Sequence, residues 1–187
     1  MPRTAFARIR HNAFAGAWLL LALLLALPTR AEVLARGPGG FLLENRISVA
    51  VPPERAWQAL VDEVGQWWPA DHSWFGASEN FRIRAVAGGC FCEIDGARQV
   101  EHMRISHVDP PQRLRMLGGL GPLQGMGLHG ALDWVIRAQE GGSEITLRYQ
   151  VGGYTPEPLG EFVDVVDRVQ AQQLGALGEH LRAAPPR

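Results

Sequence analysis

Six short strand-like segments, each bounded by Gly, Pro or Asp, are followed by one long apolar stripe of helical period, and this order leaves few folds open. The segments are Phe81 to Val86, Cys90 to Ile94, Gln99 to Val108, Arg113 to Leu117, His129 to Ala138 and Glu144 to Gly152. Asp95-Gly96, Asp109-Pro110-Pro111 and Glu140-Gly141-Gly142 supply turn chemistry between them. Connections this short favour antiparallel neighbours. The stripe runs from Pro156 to Ala184 through Leu159, Phe162, Val163, Val166, Val169, Leu174, Leu177 and Leu181. A helix of about 25 residues would be near 38 Å long, enough to cross a six- or seven-stranded sheet. The expected class is therefore α+β.

Upstream, Phe41 to Val51 alternates Ile47, Val49 and Val51 against Arg46, Ser48 and Ala50, the period of a half-buried strand. Pro52-Pro53 stops it, and Pro53 opens a helix whose stripe is Ala56, Trp57, Leu60, Val61 and Val64, closed by Gly65. Gln66 to Phe81 reads as an ordered aromatic loop. Residues 32–40, with Arg36-Gly37-Pro38-Gly39-Gly40, read as a flexible lead-in to a single domain over 41–184.

The order of these elements resembles the SRPBCC or START-like superfamily, the helix-grip fold. The resemblance is carried by VPPERAWQALVDEVGQWWP (51–69), Gly88-Gly89-x-Phe91-x-Glu93, Val108-Asp109-Pro110-Pro111-x-x-Leu114 and the final helix, and it covers 41–184. It is nearest the polyketide-cyclase-like and heat-shock ATPase-activator-like branch. It implies a curved antiparallel sheet gripping the long helix, with an apolar cavity between them for a lipid, sterol, polyketide or other hydrophobic molecule. Some members are cyclases, hydrolases or dehydratases, so the fold alone does not fix the function.

Arg3, Arg8 and Arg10 precede an apolar run from Ala13 to Leu27, then Pro28-Thr29-Arg30-Ala31. This is the order of a secretory signal peptide cleaved after Ala31, since the run is shorter than the roughly 20 residues a spanning helix needs. The expected location is secreted or periplasmic, with no transmembrane segment after cleavage. That sets the chain apart from the familiar cytosolic members and argues against assisting a cytosolic chaperone. Cleavage leaves 14 Arg against 19 acids, a net charge of -5. The remaining arginines are scattered, so a nucleic-acid partner is not expected. No feature specifies an oligomeric state.

All 18 basic residues are arginine. Schiff-base lysine chemistry and a phosphate-binding loop are thereby excluded. An anionic head group would have to be held by Arg82, Arg84, Arg104 or Arg148, or by backbone N–H groups. Gly125 to Gly130 satisfies G-x-G-x-x-G, but a strand-like run follows where a helix should open, so no cofactor is expected. Gly118 to Gly130 reads as a mobile loop at a pocket mouth. No Gly-x-Ser-x-Gly is present.

Cys90 and Cys92 share one face of a strand, with Cα atoms about 6.5 to 7 Å apart if it is regular, at or past the reach of a disulfide. The leading expectation is a pair of separate thiols, buried or lining a pocket. A bulge after Gly88-Gly89 would allow a disulfide instead. A hairpin register pairing Cys90 with His102 would make Cys90, Cys92 and His102 a soft-metal site. His129 and Asp133, four apart in a strand, and Glu93 are the candidates for acid and base work. Trp67, Trp68, Trp74, Phe75, Phe91, Met103, Met116, Met126, Trp134, Tyr149 and Tyr154 are the candidate cavity lining. The leading functional expectation is an exported, monomer-sized protein that binds a hydrophobic small molecule or lipid. The alternatives are an acid–base cyclase, dehydratase or hydrolase acting on a polyketide-like or steroid-like substrate, and a metal-binding protein.

Overall fold

The computed structural model describes residues 30–183. The expected signal peptide, except for its last two residues, lies outside them. Eight strands among the described residues form one antiparallel sheet: β1 (Arg30–Gly37), β2 (Gly40–Val49), β3 (Phe81–Ile83), β4 (Cys90–Asp95), β5 (Arg98–Asp109), β6 (Arg113–Gly118), β7 (His129–Gln139) and β8 (Gly142–Gly152). Their order is β1-β2-β8-β7-β6-β5-β4-β3. The strand after the first turn thus pairs with the last, and β3 to β8 then follow as a chain of neighbours. Helices α1 (Pro53–Asp62), α2 (Val64–Trp67), α3 (Pro122–Gly125) and α4 (Phe162–Ala183) complete the fold. This is the expected helix grip, with one strand more than the sequence suggests.

The extra strand is β1. Residues 32–40 are a hairpin and not a flexible lead-in: Glu32 pairs with Glu44, Val33 with Leu43 and Gly37 with Gly40. Its side chains are mostly exposed, so it carries no apolar alternation to betray it. Arg36 fastens this edge to α4, donating to both oxygens of Asp164 at 3.2 and 2.6 Å.

On β2 the buried residues are Phe41, Leu43, Asn45, Ile47 and Val49, and on β8 Ser143, Ile145, Leu147, Tyr149 and Val151, a strict period of two. These faces meet Leu174, Leu177 and Leu181 of α4 and Ala56, Ala59 and Leu60 of α1 in one core. Burying that face is what holds α4 across the sheet.

The helices differ from expectation at their ends. Gly65 does not stop the α1 stripe: the helix breaks at Glu63 and resumes as α2 through Gly65. A Cβ on Gly65 would lie 3.2 Å from the carbonyl oxygen of Ser78, so this glycine permits close packing under the 3-10 turn Ser78–Asn80. Glu63 accepts two hydrogen bonds from Arg55, both 2.9 Å, and pairs with His180 Nε2 at 2.6 Å, tying the break to α4. The terminal helix begins at Phe162, not Pro156, because Pro156, Pro158 and Gly160 at φ +47° precede it. Its 22 residues still span about 33 Å.

Candidate functional site

The β4–β5 hairpin has a two-residue turn, with Asp95 opposite Arg98, then a bulge: Phe91 faces Met103 while Cys92 faces Glu101. His102 is the extra residue. It and Met103 are consecutive yet both buried, so the bulge turns the imidazole into the core side of the sheet. There it stacks on Phe81 at 5.2 Å and lies 5.3 Å from Phe91.

Glu93, 0% exposed, lies beside it. Its carboxylate accepts hydrogen bonds from Ser73 Oγ, from the backbone N–H groups of Trp74 (3.0 Å) and Phe75 (2.9 Å), and from His102 Nε2 (3.2 Å). Burial pushes this carboxyl upward, but the four donors outweigh it and hold the group below the usual carboxylate range. Burial likewise lowers the His102 imidazole, against a smaller opposing pull from Glu93. The pair is therefore a carboxylate and a neutral imidazole with its proton on Nε2. Ser73 Oγ in turn accepts from the N–H groups of Phe75, Gly76 and Ala77, so Glu93 organises the whole 73–77 turn.

That turn forms one wall of a cavity of about 270 Å³. Trp68, His72, Ser73, Trp74 and His102 line one side, and Phe162, Val165, Val166, Val169, Gln170 and Gln173 of α4 the other. Leu120 to Leu123 and Tyr149 close the end. Residues 118–130, expected to be a mobile loop, contain α3 and bury Leu120, Leu123 and Leu128. Tyr149 Oη pins them by accepting from Leu120 N–H and donating to the Gly118 carbonyl, each 3.0 Å. Burial pushes its phenol up to about 12, so this ring is a neutral clamp.

Of the eleven residues expected to line a cavity, Trp68, Trp74 and Tyr149 do so. Trp67, Phe91, Met103, Met116 and Trp134 are buried in the core instead. Trp67, for example, donates its indole N–H to the Ala59 carbonyl at 2.8 Å and packs on Trp134 at 6.1 Å. Phe75 sits under the Arg98 guanidinium at 4.9 Å, and Met126 and Tyr154 are exposed, the latter 85%. Aromatic and Met residues serve the core equally well, so residue type alone does not separate the two roles.

The acid–base and metal candidates divide similarly. His129 is exposed, and Asp133 accepts from Arg115 Nε at 3.0 and 3.1 Å on the face of β7 opposite the buried Leu132 and Trp134. Only Glu93 approaches the cavity, behind His102 and Ser73. Cys90 and Cys92 are joined in a disulfide with Cα atoms 5.4 Å apart, closer than a regular strand allows, at the bulge. Separate thiols and a Cys90–Cys92–His102 metal site are both corrected by this: the sulfurs are bonded to each other, and His102 faces the opposite side of the sheet with Glu93. Among the described residues no group of three or more His, Cys, Asp and Glu is placed to hold a metal. Arg82, Arg84, Arg104 and Arg148 are exposed and line no part of the cavity. Arg104 pairs with Glu101, and Arg148 with Glu44.

Gln170 and Gln173 are the lining residues most readable in retrospect. Two glutamines at i and i+3 fall on the apolar stripe of α4, where a polar side chain is out of pattern.

The family model described as activator of Hsp90 ATPase homolog 1-like protein matches residues 50–182. No curated protein sequence matches the chain. Among solved structures the fold is similar to CalU16 from Micromonospora echinospora, at 15% identity over 83% of this chain and 87% of that one, TM-score 0.57. It is similar to the Aha1 dimer from Colwellia psychrerythraea, at 16% identity over 78% and 98%, TM-score 0.56. It is also similar to DynU16, a protein in the dynemicin biosynthetic locus, at 20% identity over 78% of this chain and 48% of the longer one, TM-score 0.53.

Proposed function

The chain belongs to the activator of Hsp90 ATPase homolog 1-like family, and from that premise we propose that it is an exported binding protein for one small, largely apolar molecule held between sheet and α4. The observation that carries this reading is the cavity itself. It is walled by Trp68, Leu120, Leu123, Phe162, Val166 and Val169, with a few polar groups set among them, as small-molecule sites are built.

Its volume of about 270 Å³ is just below the roughly 300–1,000 Å³ usual for such sites. The ligand is accordingly a compact molecule or one end of a longer one, not a whole two-chain lipid. Export is supported by the order of residues 1–31 and is compatible with the Cys90–Cys92 disulfide, a bond favoured in oxidising compartments. Activation of the Hsp90 ATPase, which the family description names, would require the chain to share a compartment with that partner. Native mass spectrometry of protein isolated from the compartment that receives it, followed by organic extraction, tests the reading. A stoichiometric small-molecule adduct is expected, and a ligand-free protein that also takes up no apolar fluorescent probe would overturn it.

One observation favours a second reading. His102 lines the cavity as a neutral imidazole oriented by Glu93, the arrangement of a general base. This gives the enzyme alternative to Glu93 and His102 and removes it from His129 and Asp133. Bound ligand recovered after incubation in deuterium oxide would then carry solvent deuterium at an acidic C–H. Equal incorporation in His102→Gln protein would end this reading.

A further inference from the structure

Three polar atoms on residues lining the cavity have no hydrogen-bond partner among the described residues: Trp68 Nε1, His72 Nδ1 and Gln170 Oε1. Trp68 and Gln170 are 4% and 2% exposed, so bulk water does not compensate them. Burying a donor or acceptor unpaired is costly. The neighbouring indole shows the contrast, since Trp67 Nε1, which has a purely structural place, is satisfied by the Ala59 carbonyl. On α4, Gln170 Nε2 donates to Gln173 Oε1 at 3.1 Å, which orients the amide and leaves its own oxygen open. Residues lining the cavity thus carry one indole donor, one amide acceptor and one imidazole nitrogen, each without a protein partner, that small side-chain adjustments would bring to a ligand.

Charge decides what these atoms would recognise. No arginine of the described residues lines the cavity, and the formally charged lining side chain is Asp71, an exposed residue. A carboxylate or phosphate would lose its hydration with no cation to replace it. A hydroxyl or a primary amide would supply both a donor for Gln170 Oε1 and an acceptor for Trp68 Nε1. We propose that the cavity selects uncharged ligands, with an apolar body and a hydroxyl or amide group bound by Trp68 and Gln170. This inference rests on the small-molecule reading above and names its ligand class.

Three probes of one shape test it: naphthalene, 2-naphthol and naphthalene-2-carboxylate, titrated at pH 7 into the wild-type mature chain, Trp68→Phe and Gln170→Met. Wild type is expected to hold 2-naphthol roughly tenfold tighter than naphthalene, and the carboxylate more weakly than either. Each variant should bring 2-naphthol to within about threefold of naphthalene, the ratio being taken within each variant so that a change in the wall itself affects both probes alike. Trp68→Phe removes an unpaired donor but shortens a ring packed on Phe81 and Phe91, and Gln170→Met removes the bond to Gln173 along with the unpaired oxygen, so a cooperative melt of each ligand-free variant first establishes that it folds. Naphthalene bound with no preference for the hydroxyl, or the carboxylate bound most tightly, would overturn this inference and spare the cavity reading. Failure of all three probes to bind would overturn both.

Discussion

Glu93 is the residue on which the site depends. Four donors converge on its carboxylate, and each oxygen takes one backbone N–H that can only donate, so Glu93→Gln sets an amide NH₂ against one of these and should cost about 3 kcal/mol in denaturant unfolding. Ser73→Ala removes one donor and also the acceptor of the Phe75, Gly76 and Ala77 N–H groups, which water replaces at the exposed Gly76 and Glu93 still holds at Phe75, and should cost nearer 1–2 kcal/mol. If the two variants unfold alike, the carboxylate is not the organiser. The pH dependence has a definite sign. Both Glu93 and His102 are lowered in the folded protein, so each favours stability fully above its unfolded value and loses that contribution as pH falls through the folded one. The urea midpoint should therefore rise from about pH 4 to about pH 7, and His102→Gln should flatten the upper part of that rise; an unchanged profile would show that the imidazole is not titrating between the two states. Cys90 and Cys92 act differently. A bridge spanning a sequence separation of 2 closes a very small loop, worth only about 1–2 kcal/mol through the unfolded chain. Reduction should leave the protein folded, and cooperative unfolding under reductant alone would contradict that account.

At the scale of elements, β2 and β4 to β8 were legible from the sequence because alternation and turn residues coincide, as in Ile47 and Val49 or the Asp95 turn. Each such strand buries one face, and burial is what periodicity reports. β1 was not legible, since its side chains remain exposed and its pairing is by backbone. The cavity was legible only in part for a related reason. His102 reaches it through a bulge that breaks the period of two, which no local pattern announces. Gln170 and Gln173 were visible as polar interruptions of an apolar stripe but carry no motif. Trp67 and Trp68 are adjacent and chemically alike, yet α2 ends between them, sending one indole to the Ala59 carbonyl and the other to the cavity wall. The helix that closes the cavity is held by the same stripe further along, where it turns apolar again after Gln170 and Gln173. Leu174 is fully buried against the sheet, and Leu174→Ala should cost about 2–5 kcal/mol, lowering probe affinity as α4 loosens. A loss below 1 kcal/mol, measured by urea unfolding, would mean that α4 is not anchored there.

For the whole molecule, the proposed signal segment and the fold would meet at β1. Cleavage after Ala31 would remove Arg30 and Ala31 from the strand but keep Glu32 to Gly37, and with them the pairs Glu32 to Glu44, Val33 to Leu43 and Gly37 to Gly40. It would also keep the double hydrogen bond from Arg36 to Asp164. The mature domain would lose four arginines and no acid, moving from a net charge of -1 to -5, while its described contacts with α4 stay in place. A cut only six residues later would delete the β1 pairing and the Arg36 bond together, exposing the edge of β2. The proposed cut would therefore be constrained by folding as well as by the small residues Thr29 and Ala31. The full chain produced in a Gram-negative host should be recovered from the periplasm with an intact mass beginning at Glu32 and the thiols oxidised. A version started directly at Glu32 and oxidised in vitro should melt at the same temperature. Recovery in the membrane fraction with residues 1–31 attached would refute cleavage, and a mature end beyond Gly37 would refute the role given to β1.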